Sequence, residues 1–394
     1  DNILDSDGDP DYYPYQTLYG LGYKNGSEAG AYFTVIANPS LKWETQISTD
    51  IALEFGLFDR LTGTIEYFKK DSKDLLFDVS QPASVGVTSI IQNIGKVTNS
   101  GVEIELDYNA FKNKDWSVSV GANATFVKNK IKNLPATMKE NGYISGSKKW
   151  LEGKSIYEFW LRQWHGVDPQ TGDGLYVADV SKYNQGNIGT GDGNITQSQF
   201  DEYKKTVVTI DGKELTNSYT YAKYDFSGSS IPDVYGGFNV RVSYKNFDLA
   251  AVFSYQLGGQ ILDTNYATMM SMTEFGYAQS PDLLKAWKQA GDITEVPRID
   301  NSAAHTTNIG QSYSTRWLTS SDYLNLRSVT IGYQLPKTWL SKVMLKSARL
   351  NLTAENLFML KARQGLNPMA NYSGVTYNEY MPSRNITLGL NVSF

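Results

Sequence analysis

The stretch Asn385-Ile386-Thr387-Leu388-Gly389-Leu390-Asn391-Val392-Ser393-Phe394 decides the fold. Ile386, Leu388, Leu390, Val392 and Phe394 are apolar, and the residues between them are small or polar. Strict period-two alternation marks a strand with one greasy and one wet face. An apolar strand that runs to the last residue is unusual for a soluble domain, whose termini fray in water. It is expected where the strand's outer face meets lipid, as in an outer-membrane barrel.

Working outward, the same alternation recurs. In 47–57, Ile47, Ile51, Leu53, Phe55 and Leu57 share a face, and Asp50 and Glu54 lie on the other. Ile65 and Tyr67 mark 61–70. In 97–110, Val102, Ile104, Leu106 and Tyr108 alternate with Glu103, Glu105 and Asp107. Three acidic residues on one strand face suit a water-filled lumen better than a packed core. Further strands are expected at 115–128, 155–165, 234–245, 247–257, 323–335 and 347–356. A poorly alternating candidate, Tyr143–Leu151, turns at Glu152-Gly153-Lys154. The expected total is about eleven. Residues 1–46, broken by Asp7-Gly8-Asp9-Pro10 and other Gly and Pro, read as loop leading into a barrel portion at 47–394. Pro281–Ala290 and Pro336–Val343 read as short helices.

The connections are unequal. Those near 58–60, 112–115 and 245–247 are short, whereas 71–96, 166–233, 258–322 and 357–384 are long. Outer-membrane barrels segregate short periplasmic turns from long extracellular loops in this way. Parity places Phe394 at the periplasmic rim only if Tyr143–Leu151 is counted as a strand. Bacterial single-chain barrels have even strand counts, so about eleven implies that the rest of the wall is supplied from outside this stretch. The chain also begins in loop sequence with no initiator Met, as expected of a piece cut or processed from a longer protein.

Composition agrees. A net charge of −5 with no basic cluster argues against nucleic acid as a partner. The absence of Cys excludes disulfides and thiolate sites, and two His residues cannot build a multi-histidine metal centre. No run approaches the ~20 apolar residues of a spanning helix, which leaves strands as the route across a membrane. The 27 Tyr and eight Trp suit membrane interfaces and sugar-binding surfaces alike.

Several stretches resemble the SusC/RagA family of TonB-linked outer-membrane transporters from Bacteroidetes. They are Asn38-Pro39-Ser40-Leu41-Lys42-Trp43-Glu44, then Asn93-Ile94-Gly95-Lys96-Val97-Thr98-Asn99-Ser100-Gly101-Val102-Glu103, then Tyr235-Gly236-Gly237 and Tyr244-Lys245-Asn246-Phe247-Asp248-Leu249. Tyr323-Leu324-Asn325-Leu326-Arg327, Gly332-Tyr333-Gln334-Leu335-Pro336, Asn356-Leu357-Phe358 and the Phe394 terminus follow in the family's order. The resemblance implies an all-β transmembrane barrel, this chain being the C-terminal half of a 22-stranded wall whose lumen is plugged. It implies import of oligosaccharides, or of oligopeptides, beneath a SusD-like surface lipoprotein that acts as a lid. TonB would act through a plug outside this chain, and the N-terminal half of the barrel and outer-membrane lipid would be further partners. Assembly machinery would read the terminal strand Ile386, Leu388, Leu390, Val392 and Phe394. No cofactor is implied.

Aromatic residues crowd the long loops. Tyr143, Trp150, Trp160, Trp164, Tyr183 and Tyr203 are the candidate substrate-binding residues, with Tyr219, Tyr221 and Tyr224 nearby. Flat rings stack on sugar faces and on peptide side chains, but they also pack loops together. His165 with Asp168 could move a proton, yet the run Asp168-Pro169-Gln170-Thr171-Gly172 reads better as a turn. Gly191-Asp192-Gly193-Asn194-Ile195-Thr196 resembles a calcium loop, but Ile188, Thr190 and Gln199 fall where carboxylates belong. Neither supplies a catalytic or metal site, and the chain does not read as an enzyme. Two rivals remain at this point: a small complete barrel with a rim hydrolase site at His165, and a SusC-like assembly partner that does not transport.

Overall fold

The computed structural model describes residues 15–394 apart from 82, 88, 192, 272–275, 277, 303–304, 306–307, 311–312 and 341–344. In chain order, β1 (Leu18–Asn25) and β2 (Glu28–Val35) form a separate hairpin inside the region expected to be loop. Pairing edge to edge satisfies backbone groups there despite the glycines that break the sequence pattern. Next come β3 (Thr45–Leu57), β4 (Leu61–Ser80), β5 (Ser89–Lys112) and β6 (Trp116–Asn133). A long excursion then carries β7 (Tyr143–Ser145), β8 (Lys148–Trp150), β9 (Glu158–Arg162), β10 (Trp164–Val167) and β11 (Gly174–Val177). It continues through α1 (Gln197–Thr206), β12 (Val207–Ile210), β13 (Lys213–Thr216) and β14 (Tyr224–Ser229). The meander resumes with β15 (Val234–Tyr244) and β16 (Phe247–Leu257). After β17 (Gln260–Leu262), α2 (Thr264–Met269) and β18 (Leu318–Ser320) come β19 (Tyr323–Gln334), α3 (Lys337–Leu340), β20 (Ser347–Lys361) and β21 (Asn385–Ser393).

Nine strands form one antiparallel sheet in the order β21-β20-β19-β16-β15-β6-β5-β4-β3. β3 and β21 are its edges, so the sheet is an open segment of wall. Its register gives it two unlike faces. One row across it reads Leu57, Leu61, Tyr108, Val120, Val240, Ala251, Val329, Ala354, Ile386. The next reads Gly56, Thr62, Asp107, Gly121, Asn239, Val252, Ser328, Glu355, Asn385, apolar only at Val252. The apolar face is open: Ile51, Leu53, Ile386, Leu388 and Leu390 are all more than 60% exposed. Water would penalise so continuous an apolar surface, whereas hydrocarbon accepts it. Aromatics edge the face at both heights. Trp116 packs on Tyr244 and Phe247 on Tyr333, each at 4.3 Å, near the short turns. Tyr67, Phe126 and Phe358 lie toward the other end. Trp116 to Phe126 is ten residues, ~33 Å of strand, which at a tilt of ~40° gives the ~25 Å apolar height of an outer-membrane wall.

The short connections share one end. Phe58 and Asp59 both have positive φ, and Arg60 N donates to Leu57 O, making the tight primed turn that matches strand twist. The 113–115 and 245–246 turns lie beside it, tied by Lys245 N to Asp115 O and by Asn246 Nδ2 to Gln334 O. The opposite end carries 81–88, 134–233, 258–322 and 362–384.

Three expectations are corrected. Tyr143–Leu151 is not a wall strand but the small hairpin β7–β8, and 155–165 contributes β9 and the start of β10 outside the wall. The reason is geometric: β15 takes the free edge of β6 from Trp116 to Thr125, leaving no place between them. Among the described residues the wall therefore has nine strands where about eleven were expected. Because both misplaced strands fall in one excursion, the periplasmic placement of the C-terminus is unchanged. Residues 71–96 are not loop; β4 and β5 continue as a paired hairpin to Ser80 and Ser89. Finally, Pro281–Ala290 holds only a single-turn 3₁₀ segment, Pro281–Lys285, because Ala286 returns to extended backbone. The Pro336–Val343 helix is Lys337–Leu340, and its expected end lies outside the described residues.

The motif residues have structural work. Asn93 Oδ1 accepts from Lys42 N at 2.7 Å while its Nδ2 donates to Lys42 O and Asp74 O, docking the 38–44 segment on the β4–β5 hairpin. On the polar face Asp248 and Arg349 pair at 2.6 Å across the intervening strand β19. Gly332 lies beneath that pair, where any Cβ would overlap the guanidinium.

Candidate functional site

The long loops do not wave freely. Phe159 and Leu161 from the first excursion, Leu262, Met270, Ile309 and Trp317 from the second, and Val375 from the third form one buried core. Burying such side chains stabilises each by ~1.5–3 kcal/mol relative to exposure, so the three loops fold as a cap. An ion pair links the buried Asp263 to the half-buried Arg363, which lies 3.5 Å over the Tyr266 ring. Asp263 also accepts from Tyr266 N at 2.9 Å and Thr376 Oγ1 at 3.3 Å. Thr376 N donates to Leu262 O, so the second and third loops are stitched by backbone as well.

Strand alternation in β9 sends Phe159 and Leu161 into this core and Glu158, Trp160 and Arg162 to the other side. On that side Trp160 lies parallel to Tyr224 (6.1 Å, 12°) and edge-on to Phe226 (4.9 Å). Arg162 lies 4.6 Å from both the Tyr219 and Tyr224 rings, and Lys149 lies 4.0 Å over Trp160. The result is a half-buried aromatic platform studded with cations, suited to flat or carboxylate-bearing ligands. Phe226, Arg162 and Lys149 escape a search for loop aromatics. The only sequence trace is the alternation Glu158-Phe159-Trp160-Leu161-Arg162.

The other candidates serve different ends. Tyr143 and Trp150 pack on each other at 5.4 Å across β7–β8, and Trp150 closes over a small core of Ile131, Leu134 and Met138. Trp164 meets Tyr176 edge-on at 5.1 Å, and Arg316 is sandwiched between it (4.7 Å) and Trp317 (4.3 Å). Burial lowers the Arg316 guanidinium to about 10 and raises the Tyr176 phenol to about 12. Tyr183 and Tyr203 stack at 5.1 Å in a separate core with Phe200 and Ile195, where Tyr203 is only 1% exposed. Burial, with Glu214 and Asp179 nearby, raises the Tyr203 phenol to about 12. Neither ring has a face left for a ligand. So the six candidates fall into four separate groups, of which Trp160 alone lies on the platform.

His165 is exposed, and the Asp168 carboxylate is engaged by Gln170 N and Thr171 Oγ1, not by the imidazole. Gly191 accepts from Asn194 N in a turn that leads to the α1 capping box at Thr196 and Gln199. Asp192 lies outside the described residues. Among the described residues no group of three acidic or His side chains converges on a metal position.

On the polar face of the wall, Glu105 stands between Thr64 and Asn123, while Glu66 and Glu103 stand directly opposite each other. Like charges so placed repel, and only a hydrated or cation-bearing lumen tolerates them.

Residues 8–258 match the family model "TonB dependent receptor-like, beta-barrel". TonB-dependent receptor P3 of Formosa agariphila is 29% identical over 411 residues, covering 98% of this chain and 38% of that protein. TonB-dependent receptor SusC of Bacteroides thetaiotaomicron is 24% identical over 372 residues, covering 91% of this chain and 32% of SusC. The RagAB peptide importer in its closed-closed state superposes with a TM-score of 0.74 at 25% identity, over 97% of this chain and 39% of that one. The chain thus spans under two fifths of the relatives it matches. Their family resides in the outer membrane, and the two-faced wall accounts for that location here. The match over more than half the length, on a wall with this register, means that the chain belongs to the TonB-dependent receptor β-barrel family.

Proposed function

We propose that this chain forms wall and outer cap of a TonB-driven importer of oligosaccharides or oligopeptides, working with a SusD-like lipoprotein lid. The observation that carries the reading is the cap: three loops share one core at the end of the wall opposite the short turns, and the cap presents the Trp160–Tyr224–Phe226 platform with Arg162. A rigid cap holds a ligand surface in place at the outer end of the wall, and rigid placement lowers the cost of binding. TonB acts through a plug contributed by the rest of the protein. The terminal strand Ile386–Phe394 serves as the assembly signal. Trp160 replaces the wider set of six as the residue expected to touch substrate, and the platform's cations favour oligomers that carry carboxylates.

The test is uptake of labelled oligosaccharide and oligopeptide pools by cells making the full transporter with its lipoprotein. Trp160→Ala with Arg162→Ala is expected to cut ligand binding about tenfold, the scale of one lost stacking or charge-assisted contact. Loss of TonB should abolish uptake. Uptake that persists without TonB would refute the importer reading, and unchanged binding in the double variant would remove the platform from it.

A further inference from the structure

On the apolar side of the wall, strand alternation continues past the outer aromatic edge and changes chemistry. Tyr67, Val102 and Phe126 form one row across β4, β5 and β6. The next row on the same face is Lys69, Ser100, Lys128, and the one beyond is Asp71, Thr98, Lys130. Lys128 and Lys130 follow Phe126 by two and four residues, ~7 and ~13 Å along the strand, at the level of lipid headgroups above an aromatic belt.

Asp71 is already satisfied. It accepts from Thr98 Oγ1 at 2.6 Å and pairs with Lys69 at 3.4 Å and Lys96 at 3.7 Å. Among the described residues Lys128 and Lys130 have no carboxylate within 4.0 Å, and both are exposed. A groove of about 530 Å³ opens at this point, floored by Tyr67, Val102 and Phe126 and bordered by Lys128, Lys130 and Lys154. Lys130 lies against Gly153, and Lys154 turns over the Phe226 ring at 4.6 Å. Two carboxylates, Glu158 and Asp233, also reach the groove, and Asp233 abuts Gly258. The site spans β4, β5 and β6, one to three strands in from the β3 edge, so extending the wall laterally leaves it uncovered.

We infer that this groove binds a phosphorylated glycolipid of the outer leaflet, its phosphate on Lys128 and Lys130 and its acyl chains along Tyr67, Val102 and Phe126. The change from apolar to cationic at headgroup height matches one amphiphile and no soluble nutrient. The inference rests on the outer-membrane location and not on the importer reading.

The test uses the full-length transporter in detergent, with native mass spectrometry of bound lipid. The probes are a bis-phosphorylated acylated disaccharide lipid and its enzymatically dephosphorylated form. Wild type is expected to retain the phosphorylated lipid at least about tenfold better than Lys128→Gln with Lys130→Gln, since charge-assisted contacts to phosphate are the strong ones. The Lys128→Arg, Lys130→Arg variant should retain it, and both variants should keep heat-modifiable gel migration. Equal retention by the Gln variant, or of the dephosphorylated lipid by wild type, would overturn the inference.

Discussion

Replacing Arg363 by Leu tests whether the cap is held as one unit. Its partner Asp263 is 4% exposed and carries the first turn of α2, so the substitution leaves a buried carboxylate facing Tyr266 N and Thr376 Oγ1 without its cation. Removing one partner of a buried pair costs about 3–5 kcal/mol, because the remaining charge stays desolvated. Divided by 1.4 kcal/mol per decade, that is a roughly hundredfold to several-thousandfold rise in local opening. Hydrogen exchange followed by mass spectrometry on the full transporter reads this directly. Amides of 262–270 and 374–376 should exchange faster by that factor while wall amides, such as those of β15 and β16, do not change. Asp263→Asn on the Arg363→Leu background should recover a large part of the loss, since a neutral amide no longer needs the cation. The reasoning fails if exchange rises equally in the wall, if it does not rise at all, or if the double variant is no better than the single one.

Other outcomes follow from the same geometry. Leu388→Arg places a charge on the open apolar face, where Leu388 is 73% exposed and opposite Leu352. A cost of ~2–4 kcal/mol at midplane depth should lower the heat-modifiable folded fraction, whereas Thr387→Arg on the polar face should be tolerated. Lys148 donates to Tyr157 O at 2.9 Å and lies 3.1 Å over the Phe159 ring, and burial lowers its ammonium to about 7 from 10.5. Between those values the unfolded chain binds the extra proton, so cap stability should rise from pH 7 to about pH 10. Lys148→Met should flatten that rise in a pH series of cap proteolysis. Among the described residues, Tyr203 Oη is buried without a hydrogen-bond partner. Tyr203→Phe should therefore be neutral or slightly stabilising, while Tyr176→Phe, which forfeits a 2.6 Å bond to Asn308 O, should cost about 0.5–1.5 kcal/mol in thermal denaturation.

Much of the wall was legible because a strand's side-chain period is local. Ile386 to Phe394 announced the outer face, Glu103, Glu105 and Asp107 the inner one, and the short turns their common end. The loops were not legible in the same way. Tyr143–Leu151 and 155–165 have strand-like composition, yet whether a strand joins the wall depends on which edge is free. The β6 edge is claimed by residues 235–244, more than a hundred positions away. Trp160 and Tyr203 are both loop aromatics in the sequence. Alternation around Phe159 turns one outward onto a platform, while packing against Tyr183 and Tyr221 hides the other.

The sequence by itself determined a two-faced antiparallel wall, its orientation and its family signature, since alternation, turn chemistry and motif order are properties of neighbouring residues. Only the tertiary structure decided that nine strands of the described residues make the wall, that three loops share a core locked by Asp263 and Arg363, and that Lys128 and Lys130 border a groove on its apolar side. Those facts depend on which distant edges and faces meet, and contacts of that range are set by competition among all the segments for the same partners.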